Sequence, residues 1–137
     1  ETDLANKIAV VTGASKGIGL ATSQALAAAG AFVIAGARHG SAELQALEEA
    51  GSATFVAADL ATADGPHALV AAAAERGGID VLVNNTGAVT PRFDGILSVT
   101  DDDWSEALAV NFLSAVRTTR DAIPHMLARG GGTDPVG

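Results

Sequence analysis

Thr12-Gly13-Ala14-Ser15-Lys16-Gly17-Ile18-Gly19 decides how this chain is read, because the apolar run Ile8-Ala9-Val10-Val11 feeds into it and a helix-patterned segment leaves it. Glycines at the spacing G-x3-G-x-G let the backbone turn tightly from strand to helix and let a ligand approach with no Cβ in the way. The helix that follows aims its unpaired N–H groups and the positive end of its dipole at that ligand. An anion such as a pyrophosphate is therefore the expected occupant. A strand-to-helix turn with no ligand asks for the same glycines, so residues further along must separate the two readings.

Outward from the turn, short apolar runs alternate with helix patterns. Lys7 to Val11 reads as a buried parallel strand. Ile18, Leu20, Ala21, Ala25, Leu26 and Ala29 support a first helix, which Gly30 terminates. Phe32 to Gly36 is a second strand, residues 37–40 a loop, and Ser41 an N-cap for a helix from Ala42 to Ala50. Ala53 to Ala58 is a third strand ending at Asp59-Leu60, Thr62 to Arg76 a helix stopped by Gly77-Gly78, and Ile79 to Val83 a fourth strand. Ala88 to Thr100 reads as a loop. Asp101-Asp102-Asp103 then makes an acidic start to a long helix carrying Leu108, Val110, Phe112, Leu113, Val116, Ile123, Met126 and Leu127. Pro124 is expected to kink that helix, and Gly130-Gly131-Gly132 to end it. This alternation predicts right-handed βαβ units, hence an α/β domain with a parallel sheet covered on both faces.

The composition narrows the function. The chain has 137 residues, 48% of them hydrophobic and 18% charged, which predicts a single soluble globular domain over residues 1–137. Its net charge of −8, with only 8 Lys and Arg, argues against a nucleic-acid surface or an anionic membrane, so an anion site must be local. With no Cys there is no disulfide framework, thiolate metal site or cysteine nucleophile, and no metal site is expected. No basic leader or apolar stretch of membrane-spanning length is seen, which fits a cytoplasmic location.

The residue after the second strand tests the anion reading further. An acid there would bind an adenosine ribose, but Ala37 and then Arg38 occupy the place. Loss of the carboxylate and gain of a guanidinium favour a 2′-phosphate, and Lys16 adds a second positive charge, so NADP(H) is expected over NAD(H). A side chain at Gly13 or Gly19 is expected to meet the pyrophosphate.

With these residues in order, the chain resembles the short-chain dehydrogenase/reductase family, whose T-G-x-x-x-G-x-G turn is matched by Thr12 to Gly19. The resemblance implies a Rossmann-type doubly wound parallel sheet, cut off here after the fourth strand and the long helix. It implies cofactor contacts from Gly13, Ser15, Lys16, Gly17, Ile18, Gly19 and Arg38. Asp59-Leu60 resembles the family's acid and apolar pair, with the Asp expected on the adenine amino group. Asn84-Asn85-Thr86-Gly87 resembles its N-N-A-G motif, with Thr86 in place of Ala; Asn84, Asn85 and Gly87 are expected to line the cofactor. Asn111 resembles the helix Asn of the catalytic tetrad, which holds a water beside the active-site Lys.

The family's Tyr, Lys and Ser follow the long helix, and this sequence contains no Tyr. The segment from Gly130 to Thr133 resembles the lead into a fifth strand, but Asp134-Pro135-Val136-Gly137 is turn-like, so the sequence reads as interrupted at Thr133: either the chain stops early or material of a longer protein is missing. The leading expectation is the cofactor-binding half of an NADP(H)-dependent oxidoreductase acting on a small carbonyl or secondary alcohol, inactive alone. Two alternatives stay open: a dinucleotide-binding module without turnover, and an interaction fragment that has lost the cofactor. A four-stranded sheet in the order 3-2-1-4 would leave the fourth strand as an edge. A homo-oligomer through that edge or the long helix is expected.

Overall fold

The computed structural model of the chain describes residues 4–85 and 100–129, apart from the side chains of Ala107 and Val110. Residues 86–99, which include Gly87 and all of the expected Ala88-to-Thr100 loop but its last residue, and residues 130–137 lie outside the described residues. Four parallel strands, β1 (Ile8–Thr12), β2 (Phe32–Ala37), β3 (Ala53–Ala57) and β4 (Val81–Val83), form one sheet in the order β3-β2-β1-β4. Between them run the helices α1 (Gly17–Ala28), α2 (Ala42–Glu49) and α3 (Asp64–Arg76); α4 (Asp101–Leu108) and α5 (Ser114–Ala128) follow β4.

Side chains alternate across a strand, and the alternation sorts the core into two layers. Ile8, Val10 and Ile34 point to one face and pack with Leu60, Leu69, Val70, Ala73, Ile79 and Ala122 beneath α3 and α5. Val11, Val33 and Ala35 point to the other and pack with Ala14, Leu44 and Ala53 beneath α1 and α2. Both faces are covered, as an apolar parallel sheet requires.

The strand and helix limits shift by a residue or two from the expected ones, for identifiable reasons. Thr12 pairs with Gly36 and Ala37 with Ala57, so β1 runs one residue past its expected end and β2 includes Ala37. Thr62 turns its hydroxyl back onto the Asp59 carbonyl at 2.8 Å, which holds Thr62 outside α3. On α1, Ala21 and Ala25 face solvent and Ile18 is 76% exposed; the inner face is Gly19 and Ser23, with Leu20, Leu26 and Ala27 against the second core layer. Ser23 is tolerated inside because its hydroxyl donates to the Gly19 carbonyl at 2.8 Å.

The long helix differs more. A π-helical turn, Ala109–Leu113, separates α4 from α5, and Pro124 lies inside α5, which runs to Ala128. The buried residues of α5 are Ser114, Thr118 and Ala122, a row of small side chains at i, i+4 and i+8 that lets the helix lie close to the body. The Thr118 hydroxyl is satisfied by the Ser114 carbonyl at 2.8 Å. Thr100 caps α4 in a reciprocal pair: its hydroxyl takes the Asp103 N–H while the Asp103 carboxylate takes the Thr100 N–H.

Ile79 and Asp80 were expected in the fourth strand but lie before it, because Asp80 serves as an anchor instead. Its carboxylate accepts from the Ile8 N–H at 2.8 Å and from Arg129 Nη2 at 2.8 Å, and Arg129 Nη2 also reaches the Asn6 carbonyl at 2.9 Å. The end of α5 is thereby clamped to the start of β1. Burial pushes the Asp80 carboxyl up, but the Arg129 guanidinium, the Ile8 N–H and Lys7 together outweigh it and hold its pKa below the usual carboxylate value. A depressed acid contributes stability that is present above its unfolded pKa, about 3.9, and is lost as pH falls below that through the folded value. Asp80→Asn is expected to lower the melting midpoint at pH 7 by on the order of 5 °C and to flatten the acid limb of midpoint against pH below about 4. An acid limb parallel to wild type would show that the clamp is not linked to acid stability.

Candidate functional site

The strand order reverses on either side of β1: β2 lies to one side and β4 to the other. In open α/β sheets the crevice beyond the carboxyl ends of the strands at such a point is where ligands bind. The glycine turn sits there, between β1 and α1. Its shape depends on Thr12, buried to 1% at the end of β1. The Thr12 hydroxyl accepts from the Asn85 N–H at 2.8 Å and lies 3.4 Å from the Val83 carbonyl, while Asn85 Nδ2 donates to the Gly13 carbonyl at 3.3 Å. The ends of β1 and β4 are thus tied together, and the structure brings Gly13, Gly19 and Asn85 into contact.

The three glycines have three different reasons. Gly13 has φ +62°, and a Cβ on it would stand 2.8 Å from the Asn85 carbonyl oxygen. A Cβ on Gly19 would enter the Gly13 carbonyl and stand 2.6 Å from Asn85 Nδ2. A side chain at either position therefore clashes with the protein's own backbone, whatever it would also meet of the pyrophosphate. Gly17, with φ +59°, has no atom within 4 Å of its would-be Cβ. It opens onto free space at the first residue of α1, where Lys16, Gly17 and Ile18 are all exposed and Ser15 half-exposed. A cradle with open space above a helix N-terminus fits a dinucleotide pyrophosphate.

The other expected contacts lie along the same strand ends. Ala37 closes β2 with 8% exposure and Arg38 follows it, exposed. Beyond β3, the exposed Asp59 accepts the Ala61 N–H on Oδ1 at 3.0 Å. Leu60 is a core residue, 4% exposed, so its side chain does not line the crevice. Asn84 is exposed and donates from Nδ2 to the Thr119 hydroxyl at 3.0 Å, which brings α5 to the end of β4. Asn111 is exposed in the π-helical turn; such turns recur at functional sites because the extra residue re-aims a side chain.

Sequence reading missed Thr12 as the tie, Thr119 as the partner of Asn84, and Gly65. A Cβ at Gly65 would enter the Asp59 carbonyl, so only glycine lets α3 start beneath the Asp59 segment. Among the described residues, no three His, Asp or Glu gather as a metal site, and no helix is long and apolar enough to cross a membrane.

Fold and site together define a nucleotide-binding α/β domain. The profile described as short chain dehydrogenase matches residues 7–133, and the chain belongs to that family of oxidoreductases. It is 38% identical over 135 residues to dehydrogenase/reductase SDR family member 4 of Homo sapiens, covering 95% of this chain and 48% of that protein. It is 36% identical over 135 residues to the uncharacterized oxidoreductase YvrD of Bacillus subtilis, covering 96% and 51%. Among solved structures, L-sorbose reductase from Gluconobacter frateurii, complexed with NADPH and L-sorbose, superposes with TM-score 0.82 at 35% identity, over 93% of this chain and 50% of that one. The NADH-dependent reductase A1-R′ complexed with NAD gives TM-score 0.84 at 35% identity, over 94% and 55%. The chain spans about half the length of these relatives. The family implies a nicotinamide dinucleotide as cofactor; the two solved relatives differ in which one they hold.

Proposed function

We propose that this chain is the NADP(H)-binding half of an oxidoreductase that interconverts a small carbonyl compound and a secondary alcohol. The observation that carries the choice of cofactor is Arg38, exposed directly after β2 where an acid would select the unphosphorylated ribose. In this reading Gly13, Ser15, Lys16, Gly17, Ile18 and Gly19 seat the pyrophosphate, and Arg38 with Lys16 holds the 2′-phosphate. Asp59 takes the adenine amino group, with Leu60 anchoring its segment from the core. Asn84, Asn85 and Gly87 line the path toward the nicotinamide, and Asn111 serves the proton relay. The bound nicotinamide supplies the hydride. The relay also needs a Tyr, which these 137 residues do not contain, so alone the chain binds without turnover. Titration with NADPH and NADH tests the reading: NADPH is expected to bind at least tenfold more tightly, and equal or inverted affinities would overturn the assignment.

A second part of the reading concerns self-association. Trp104, Leu108, Phe112, Val116 and Leu127 are each at least 42% exposed along α4 and α5. A groove of about 530 Å³ lined by Ala115, Val116, Thr119, Arg120, Ile123 and Pro124 continues this face. The first turn of α4 carries Asp101, Asp102 and Asp103, while α5 carries the exposed Arg120. An antiparallel copy would bring the acidic start of α4 toward Arg120 of the other. Sedimentation is expected to show a dimer, weakened at least tenfold by Phe112→Lys; a wild-type chain that stays monomeric at high concentration overturns this.

A further inference from the structure

We propose that Arg117, on α5, is a positioning residue for the adenine end of the dinucleotide site; this rests on the cofactor reading above. Arg117 is half-buried, and its Nη1 donates to the Ala61 carbonyl at 3.2 Å, spanning 56 residues of sequence. The Ala61 N–H is the group that donates to Asp59 Oδ1 at 3.0 Å. Ala61 is therefore held on both sides, its N–H against the Asp59 carboxylate and its carbonyl against the Arg117 guanidinium. Leu60, pinned in the core, leaves this short stretch little other freedom.

A second tie lies one helical turn further along the same face of α5. Asp121 Oδ2 stands 2.8 Å from His67 Nδ1, in the first turn and a half of α3, a close polar contact outside hydrogen-bond geometry, with the Asp121 side chain 14% exposed. Residues 117 and 121 thus grip the segment from Asp59 to His67 at both ends, and Thr119 between them receives Asn84 from β4. The helix that begins at the Asn111 turn is braced against the strand ends expected to hold the cofactor. Without Arg117 the Ala61 carbonyl has water as its partner, and the turn that presents the Asp59 carboxylate, still closed by the Ala61 N–H, loses its tie to α5.

The experiment compares Kd for NADPH with that for its hypoxanthine analogue, which lacks the amino group Asp59 would accept. Wild type is expected to prefer adenine. Arg117→Met, which keeps most of the apolar stem, should lose that preference by about tenfold, and Arg117→Lys should lose less. In an Asp59→Ala background Arg117→Met should change nothing further. A merely structural role would lower affinity for both dinucleotides alike and leave their ratio intact; an unchanged ratio in the Met and Lys variants overturns the proposal. Should Arg117→Met fail to fold, the ratio in Arg117→Lys decides: a drop supports the proposal and no drop overturns it. A wild-type chain that binds neither dinucleotide refutes the cofactor reading itself, while a wild type that binds both without discrimination refutes only the role given to Asp59 and, with it, Arg117.

Discussion

Gly19→Val is expected to abolish dinucleotide binding, raising Kd for NADPH at least 100-fold, and to destabilise the fold. The new Cβ enters the Gly13 carbonyl and comes within 2.6 Å of Asn85 Nδ2, so the Gly13 backbone must move away from α1 and the Asn85 side chain must give before it fits. The turn is closed by the Thr12 hydroxyl on the Asn85 N–H and by Asn85 Nδ2 on the Gly13 carbonyl, so the separation spreads from β1 to β4. A lost binding signal in this variant alone would not tell a damaged turn from an occluded ligand. Gly17→Ala separates them, because its Cβ meets no protein atom and only the positive φ resists it, at a cost of about 1–2 kcal/mol. That variant should fold and still bind NADPH at least tenfold more weakly, since the methyl group points into the space assigned to the pyrophosphate. A Gly17→Ala chain that folds and binds as wild type would mean that the anion sits elsewhere; a Gly19→Val chain that folds and binds normally would mean that the turn is not the cradle.

The strands, the helices between them and the turn were legible because each rests on a local pattern: apolar runs of strand length, glycines at turn positions, and Gly30 and Gly77 at helix ends; the strand order came with the family resemblance. The acidic start of α4 was legible in Asp101-Asp102-Asp103, although Thr100 read as the end of the loop before it rather than as the cap it forms with Asp103. What escaped was what depends on distant partners. Nothing near Asp80 tells that Arg129 will reach it, and nothing near Ala61 tells that Arg117 will. Leu60 entered the site reading through the family's acid and apolar pair, and its side chain packs in the core with Leu69 and Val70, where an apolar residue beside a strand end finds its lowest free energy. The π-helical turn at Asn111 was hidden because it leaves the helical pattern continuous in sequence while shifting the register of one turn. The inner face of α5 was hidden because Ser114, Thr118 and Ala122 carry little hydrophobicity; close packing selected them for size.

Arg38→Leu is expected to weaken NADPH binding ten- to a hundredfold while leaving NADH nearly unchanged, and adding Ala37→Asp should then favour NADH. A guanidinium on a phosphate forms charge-assisted hydrogen bonds, typically about 1.5–3 kcal/mol each, and every 1.4 kcal/mol is tenfold in Kd. NADH has no 2′-phosphate to lose, which is why the single variant isolates the charge pairing. The second substitution acts differently. Ala37 ends β2 with 8% exposure, and its carbonyl already accepts the Ala58 N–H at 3.0 Å, so its backbone stays fixed while a new carboxylate extends past the strand end. There it can accept from the ribose hydroxyls of NADH and repel a 2′-phosphate. The NADPH-to-NADH affinity ratio should therefore fall by roughly two to three orders of magnitude in the double variant. Burying a carboxylate also strains the strand end, so the melting midpoint should drop in the ligand-free double variant and recover more with NADH than with NADPH. A ratio that stays at the wild-type value in Arg38→Leu would place the 2′-phosphate away from β2 and leave Lys16, at the start of α1, as the residue to test next.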